Sequence, residues 1–203
     1  MNKPFSRRGI LFVVSAPSGA GKTTLVEALR RTTDLFYSIS CTTRLQRSGE
    51  IDNEHYRFIS DGDFRKKIEA GDFLEHAQVH GDYYGTLREP VADNLKKGRD
   101  VLIDIDTQGA ATIRNCDDPI IREALADVFI MPPDLDELRR RLRKRGTETE
   151  EQINRRLDTA LREMELWRDY RYTIVSGSIE EDLQRFRHIM AAEGYLSRRL
   201  CMP

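Results

Sequence analysis

The chain has 203 residues, enough for one well-buried core with a small appended lobe and too few to promise two independent domains. With 33 Lys and Arg against 34 Asp and Glu the net charge is −1, so no overall basic field exists to draw in nucleic acid. The composition, 39% hydrophobic and 33% charged, and a longest purely apolar run of only Ile10 to Val14, exclude a membrane-spanning helix. The segment ahead of that run carries Lys3, Arg7 and Arg8 but lacks the apolar stretch and small-residue cleavage site of a secretory signal. Cys41, Cys116 and Cys201 are odd in number and far apart, which argues against a disulfide framework or a zinc site. A cytoplasmic protein with free thiols is expected.

Ile10 to Val14 is rich in β-branched residues and runs into Ala16-Pro17-Ser18-Gly19-Ala20-Gly21. Lys22 to Arg31 then has helix-forming composition, with Leu25 and Leu29 four apart, so the order is strand, glycine-rich turn, helix. From 36 to 98 the texture shifts to short segments: strands are expected at His55–Ile59, Phe73–His80 and Tyr83–Thr86, helices at Asp61–Ala70 and Arg88–Lys97. Buried strands are expected at Asp100–Asp104, Asp127–Met131 and Tyr172–Val175, each followed by a helix: Thr107–Asn115, Asp134–Lys144 with Asp134 as cap, and Ile179–Arg198. Strands alternating with helices predict an α/β core with a parallel sheet between helical layers, interrupted by a small mixed lobe.

Ala16 to Thr23 fits the phosphate-loop pattern G-x-x-x-x-G-K-[ST], except that Ala stands at the first glycine. The triplet Gly21-Lys22-Thr23 alone is weak; a buried strand before it and a helix after it make it specific. Gly19 and Gly21 stand where backbone N–H groups approach phosphate with no side chain in the way. Backbone donors and the helix N-terminus hold a β-phosphate, Lys22 neutralises β/γ charge, and the Thr23 hydroxyl suits Mg²⁺. This predicts a nucleoside triphosphate but not the acceptor.

Arg44 and Arg47, on a loop ending in Ser48-Gly49, form a pair of guanidinium forks that can converge on one terminal phosphate or lie solvated on the surface. Asp104 and Asp106 close an apolar strand at its carboxyl end, where open α/β sheets place ligands; capping of the next helix is the alternative for Asp106. The arginine-rich run from Leu138 to Leu157, by itself, reads as a solvated, salt-bridged helix pair.

The chain resembles the guanylate kinases along almost its whole length. The resemblance rests on Ser-Ala-Pro-Ser-Gly-Ala-Gly-Lys from Ser15, Thr42-Thr-Arg44 with Arg47 and Gly49-Glu50, and Phe73-Leu-Glu75-His-Ala77. It rests equally on Tyr83-Tyr-Gly85-Thr86, Leu102-Ile-Asp-Ile-Asp-Thr-Gln-Gly109 and Arg145-Gly-Thr-Glu148. Their order and spacing together are highly specific. The resemblance implies a P-loop core (about 1–35, 99–140 and 168–203), an inserted GMP-binding lobe (about 36–98) and a helical lid (about 141–167). It implies transfer of the γ-phosphoryl group of ATP to GMP, and to dGMP, with Mg²⁺, in purine nucleotide metabolism.

Carried over residue by residue, it implies that Arg44, Arg47, Tyr56 and Tyr84 hold the GMP phosphate, and that Ser40, Glu75, Thr86 and Asp104 meet the base. A carboxylate at Glu75 suits guanine, which presents N1–H and N2–H₂ side by side; adenine offers an acceptor at N1 and leaves that carboxylate unpaired. Asp104 is expected to face the acceptor, and Asp106 the metal or the Lys22 region. In the lid, Arg141 and Arg145 share a helix face and Arg156 returns from the next helix, placing three charges around the transferring group. No nucleophile or general base is needed, because the loose transition state of phosphoryl transfer wants positioning and charge. The sequence departs from the family after Ile174-Val175, where Ser176-Gly177-Ser178 replace the common Asn-Asp and loosen the expected selectivity for ATP. A sibling P-loop kinase for a ribose bisphosphate would not need Glu75 with Tyr84 and Thr86. A non-catalytic interaction module of the same fold would not need Lys22, Thr23 and the three lid arginines.

Overall fold

Residues 6–79, 81–144 and 149–201 are described in a computed structural model. β1 (Ser6–Arg7) leads into β2 (Leu11–Ser15), which is buried throughout. Alternate β2 residues serve opposite faces: Phe12 and Val14 join one apolar cluster, Leu11 and Val13 another. A strand covered on both faces needs no polar alternation, which is why the segment reads as a continuous apolar run. α1 (Lys22–Thr32) packs Leu25, Val26 and Leu29 onto the first cluster.

Next come β3 (Phe36–Tyr37), β4 (Cys41–Thr42), β5 (Arg57–Phe58), α2 (Asp61–Glu69), β6 (Phe73–Val79), β7 (Asp82–Leu87) and α3 (Arg88–Lys96). β8 (Val101–Asp104), α4 (Thr107–Arg114), α5 (Pro119–Ala124) and β9 (Leu125–Met131) return to the core. The chain ends with α6 (Leu135–Lys144), α7 (Glu150–Glu165), β10 (Tyr172–Val175), α8 (Ile179–Gly194) and β11 (Leu200–Cys201).

The main sheet has the order β10-β9-β2-β8-β3 and is parallel throughout. α1 and Phe186 of α8 cover one face; Val91 of α3, Ile113 of α4 and Ile121 of α5 cover the other. This is the three-layer α/β P-loop fold. β2 is the central strand, so the loop after it opens at the middle of the carboxyl edge, beside the ends of β8 and β9.

A second sheet, β5-β4-β7-β6, is mixed, with β4–β7 and β6–β7 antiparallel. α2 backs it: Phe64 stacks on Phe73 and Tyr83 at ring-centroid distances of 4.4 and 5.3 Å. α6 and α7 form a third unit around Leu138, Leu142, Ile153, Leu157 and Ala160. Asp134 Oδ1 accepts from Glu137 N at 2.7 Å, as its capping position predicts. No described helix is long and apolar enough to cross a membrane.

Some expectations are corrected. Of His55–Ile59 only Arg57–Phe58 is strand. β9 starts two residues earlier than expected, because Asp127 is a buried strand residue whose carboxylate holds Arg114 Nη1 at 2.8 Å and Arg171 N at 3.0 Å. α8 stops at Gly194, short of Arg198; the chain turns back and β11 pairs antiparallel with β1. Arg199, 2% exposed, drives that turn: it ion-pairs with the fully buried Glu193 and donates to the carbonyls of Glu123 and Ala124 at 2.9 and 3.1 Å.

Candidate active site

The phosphate loop is built by conformations that only glycine adopts cheaply. Gly19 and Gly21 have φ of 93° and 100°. A Cβ on Gly19 would come within 3.0 Å of Leu138 and Leu142, so α6 packs directly on the loop. Gly21 caps α1, and the first helical residues are Lys22 and Thr23. No carboxylate occupies that first turn, which leaves its N–H groups and dipole for an anion.

Lys22 Nζ pairs with Asp104 at the end of β8 and donates to the Ile105 carbonyl at 3.0 Å. Asp104, expected on the acceptor side, is therefore also the partner of Lys22, a place expected for Asp106. Asp106 caps α4 through Oδ1, which accepts from Gly109 N at 2.8 Å. It nonetheless lines the same cavity as Ser18, Lys22, Thr23 and Asp104.

That cavity, of about 470 Å³, runs from the phosphate loop to the second sheet, where Ser40, Tyr56, Glu75 and Tyr84 line it. β6 and β7 are antiparallel neighbours, which puts Glu75 opposite Thr86; Thr86 Oγ1 donates to Glu75 Oε1 at 2.6 Å. Burial, with a smaller push from the charge of Asp106, raises the Glu75 carboxyl to about 6. On its other side lies α4: a Cβ on Gly109 would stand 2.9 Å from Glu75 Oε2. Tyr37, Ala77 and Val79 also line the cavity and were not expected. A two-residue strand such as β3 carries no periodic signal, but the aromatic Tyr37 beside β8 is a trace of it. Burial and the nearby Asp104 raise the Tyr37 hydroxyl above its ordinary range, and the Arg30 guanidinium lies 4.1 Å from its ring centroid.

Arg44 reaches the rim above Tyr56, 5.5 Å from that ring's centroid, and the Tyr56 and Tyr84 rings meet edge-on at 5.9 Å. The Arg44 fork is engaged by Glu50 in two contacts of 3.0 and 2.7 Å, and Arg47 N donates to the same carboxylate at 2.8 Å. Arg44, and then the Arg47 amide, hold the Glu50 carboxyl down at about 2. The two arginines thus meet through Glu50, with the Arg47 side chain exposed.

From the helix pair, Arg141 donates to the loop carbonyl of Ala20 at 2.8 Å and to Ser176 Oγ at 3.2 Å. Arg156 Nη1 donates to Ser18 Oγ at 3.4 Å. Glu163, on the same helix, keeps a buried Oε2 without a hydrogen-bond partner among the described residues, and burial raises its carboxyl. Arg145 lies outside the described residues. Gly177 is explained by capping: a Cβ there would stand 2.3 Å from Glu181 Oε2, which accepts from Ser178 N in the capping box of α8.

A family model described as guanylate kinase matches residues 8–193. A guanylate kinase from Bartonella henselae is 43% identical over 187 residues, which span 92% of this chain and 82% of that protein. One from Maricaulis maris is 46% identical over 189 residues, spanning 92% and 84%. Among solved structures, guanylate kinase from Anaplasma phagocytophilum matches with a TM-score of 0.78 at 33% identity, covering 98% of this chain and 93% of that one.

Proposed function

The chain belongs to the guanylate kinase family and transfers the γ-phosphoryl group of ATP to GMP, giving ADP and GDP, and from that premise we propose how its residues divide the work. The observation that carries the division is one continuous cavity lined both by the phosphate-loop residues Ser18, Lys22 and Thr23 and by Glu75, held by Thr86. ATP lies at the loop formed by Ala16, Pro17, Ser18, Gly19, Ala20, Gly21, Lys22 and Thr23. GMP, or dGMP, lies toward the second sheet, its base at Ser40, Glu75, Thr86 and Asp104 and its phosphate at Arg44, Arg47, Tyr56 and Tyr84. Residues of about 36–98 act as the GMP-binding lobe and about 141–167 as the lid, on a core of 1–35, 99–140 and 168–203.

Above its carboxyl's value of about 6 Glu75 is ionised and accepts from guanine N1–H and N2–H₂. Lys22 is held at the boundary between the two substrates by Asp104 and Ile105, ready to neutralise charge gathering on the transferred group. Arg141, Arg145 and Arg156 supply fixed positive charge from the lid side, and closure of α6 and α7 excludes water that would otherwise accept the phosphoryl group. The acceptor phosphate oxygen attacks directly, and no covalent enzyme intermediate forms.

The described residues contain no cluster of three metal-ligating side chains. The Thr23 hydroxyl and the Asp106 carboxylate are hard oxygen donors on one cavity wall, and two such donors suit Mg²⁺, which takes most of its shell from water and substrate phosphates. When bound there the ion neutralises β- and γ-phosphate charge. The protein acts in the cytoplasm.

An ADP-release assay with ATP and Mg²⁺ compares GMP, dGMP, AMP, UMP and a ribose bisphosphate as acceptors for the wild type and for Glu75→Gln. Turnover favouring GMP and dGMP, with the preference over AMP collapsing in Glu75→Gln, supports the division. An undiminished preference in that variant removes Glu75 from base recognition.

A further inference from the structure

We propose that Ser176 and Asp182 are positioning residues that fix Arg141 against the phosphate loop. Asp182, in the first turn and a half of α8, is 5% exposed, and a carboxylate so buried must be satisfied by fixed donors. It has three: Ser176 Oγ and Gly177 N, each at 2.9 Å, and Arg185 Nη1 at 3.0 Å. Ser176, also 5% exposed, has one hydroxyl proton, and the carboxylate takes it. The remaining lone pairs of that oxygen can only accept, and Arg141 Nη1 donates to it at 3.2 Å while donating to Ala20 O at 2.8 Å.

The direction of the chain is therefore set, from Arg141 through Ser176 to Asp182. It crosses between two bodies. Asp182 and Ser176 belong to the core, where α8 is anchored by the fully buried Phe186; Arg141 belongs to α6, which packs with α7 in its own cluster. The aim is close: a Cβ on Gly21 would lie 3.3 Å from Arg141 Nη1. A long guanidinium side chain has many rotamers, and holding one of them before substrate arrives spares that ordering cost in the transition state. Ser176 and Asp182 touch no reacting atom; they act through Arg141.

This rests on the role given to Arg141 above. Steady-state kinetics are measured for Arg141→Ala, Ser176→Ala and Asp182→Asn, and for the latter two combined with Arg141→Ala. Ser176→Ala is expected to lower kcat about three- to tenfold, the value of one hydrogen bond, with the KM for GMP unchanged. Asp182→Asn keeps the shape of the side chain and is expected to act in the same direction. In the Arg141→Ala background neither substitution is expected to lower kcat further. A kcat unaffected by Ser176→Ala overturns the proposal, as does an equal loss with and without Arg141, or a rise in the KM for GMP that matches the fall in kcat. If Arg141→Ala itself leaves kcat unchanged, the role given to Arg141 fails first, which the single variant distinguishes from failure of the relay.

Discussion

Thr86 donates its hydroxyl to Glu75 across the β6–β7 ladder at 2.6 Å, and both residues are buried, at 0% and 6% exposure. A carboxylate pinned in this way keeps Oε1 committed to Thr86 and holds Oε2 close to Gly109 of α4. Its burial is costly to the unliganded protein, and on the proposed division that cost is offset when two donors arrive from guanine.

Glu75→Gln is expected to raise the KM for GMP about tenfold to a hundredfold, the range for a hydrogen bond to a charged group. The pH profile carries the same signature. With its carboxyl raised to about 6 from 4.5, Glu75 is protonated in the folded protein where the unfolded chain is ionised. Stability of the unliganded protein then falls by roughly 2 kcal/mol as pH rises through about 6, and is recovered below the unfolded value. The affinity for GMP moves the opposite way, its KM rising as pH falls through about 6. Chemical denaturation and kinetics against pH should show both inflections in the wild type and neither in Glu75→Gln.

Gly109→Ala is expected to raise the KM for GMP severalfold, about threefold to tenfold, with little change in the KM for ATP. Its Cβ would stand 2.9 Å from Glu75 Oε2, and the carboxylate must yield because the helix backbone cannot. Separate titrations of the two substrates check this, and equal effects on both would assign Gly109 to helix packing alone.

Lys22→Ala is expected to abolish transfer, by about a thousandfold or more, while GMP still binds within about threefold of the wild-type affinity. Asp104 loses its partner in that variant, so a small loss is expected. Calorimetric titration with GMP decides it: complete loss of binding would mean the two substrate sites are wrongly divided.

Arg145→Ala is expected to lower kcat at least about tenfold with the circular dichroism spectrum unchanged. Unchanged kcat would take Arg145 out of the lid.

Arg199→Ala is expected to cost about 2–3 kcal/mol in urea denaturation, because the buried Glu193 loses one of its two arginines, keeping Arg171 Nε at 2.8 Å and the Tyr172 hydroxyl at 2.7 Å, and the carbonyls of Glu123 and Ala124 lose their donor. The KM values of the folded fraction should stay at wild-type levels, since this ion pair lies beside β1 and α5, at the opposite edge of the sheet from the phosphate loop.

The core was legible in the sequence wherever local chemistry was unambiguous. Ile10 to Val14, two glycines and a helix admit one arrangement, and the strands of the parallel sheet are runs of apolar residues bounded by polar ones. The roles proposed for Glu75, Tyr84 and Thr86 came only through family resemblance, because a carboxylate on a strand is an ordinary surface residue until pairing puts it across from Thr86. Tyr37 and the β1–β11 pair escaped since two-residue strands are created by tertiary contact. Arg199 escaped for a related reason: an arginine near a chain end reads as solvated, and only the fold supplies the buried Glu193 and the carbonyls that enclose it.

Glu50 gives the proposed acceptor site a selectivity of a different kind. Its carboxylate already fills the fork of Arg44 and is held ionised at about 2. An incoming phosphate meets that guanidinium by exchanging one anion for another, with no bare cation to be stripped of water. A nucleoside lacking the phosphate brings nothing to exchange and must leave the internal pair closed. On the proposed assignment guanosine, with the same base and the same donors for Glu75, gains nothing at Arg44 and is expected to bind more weakly than GMP, a dependence on charge separate from that on the base.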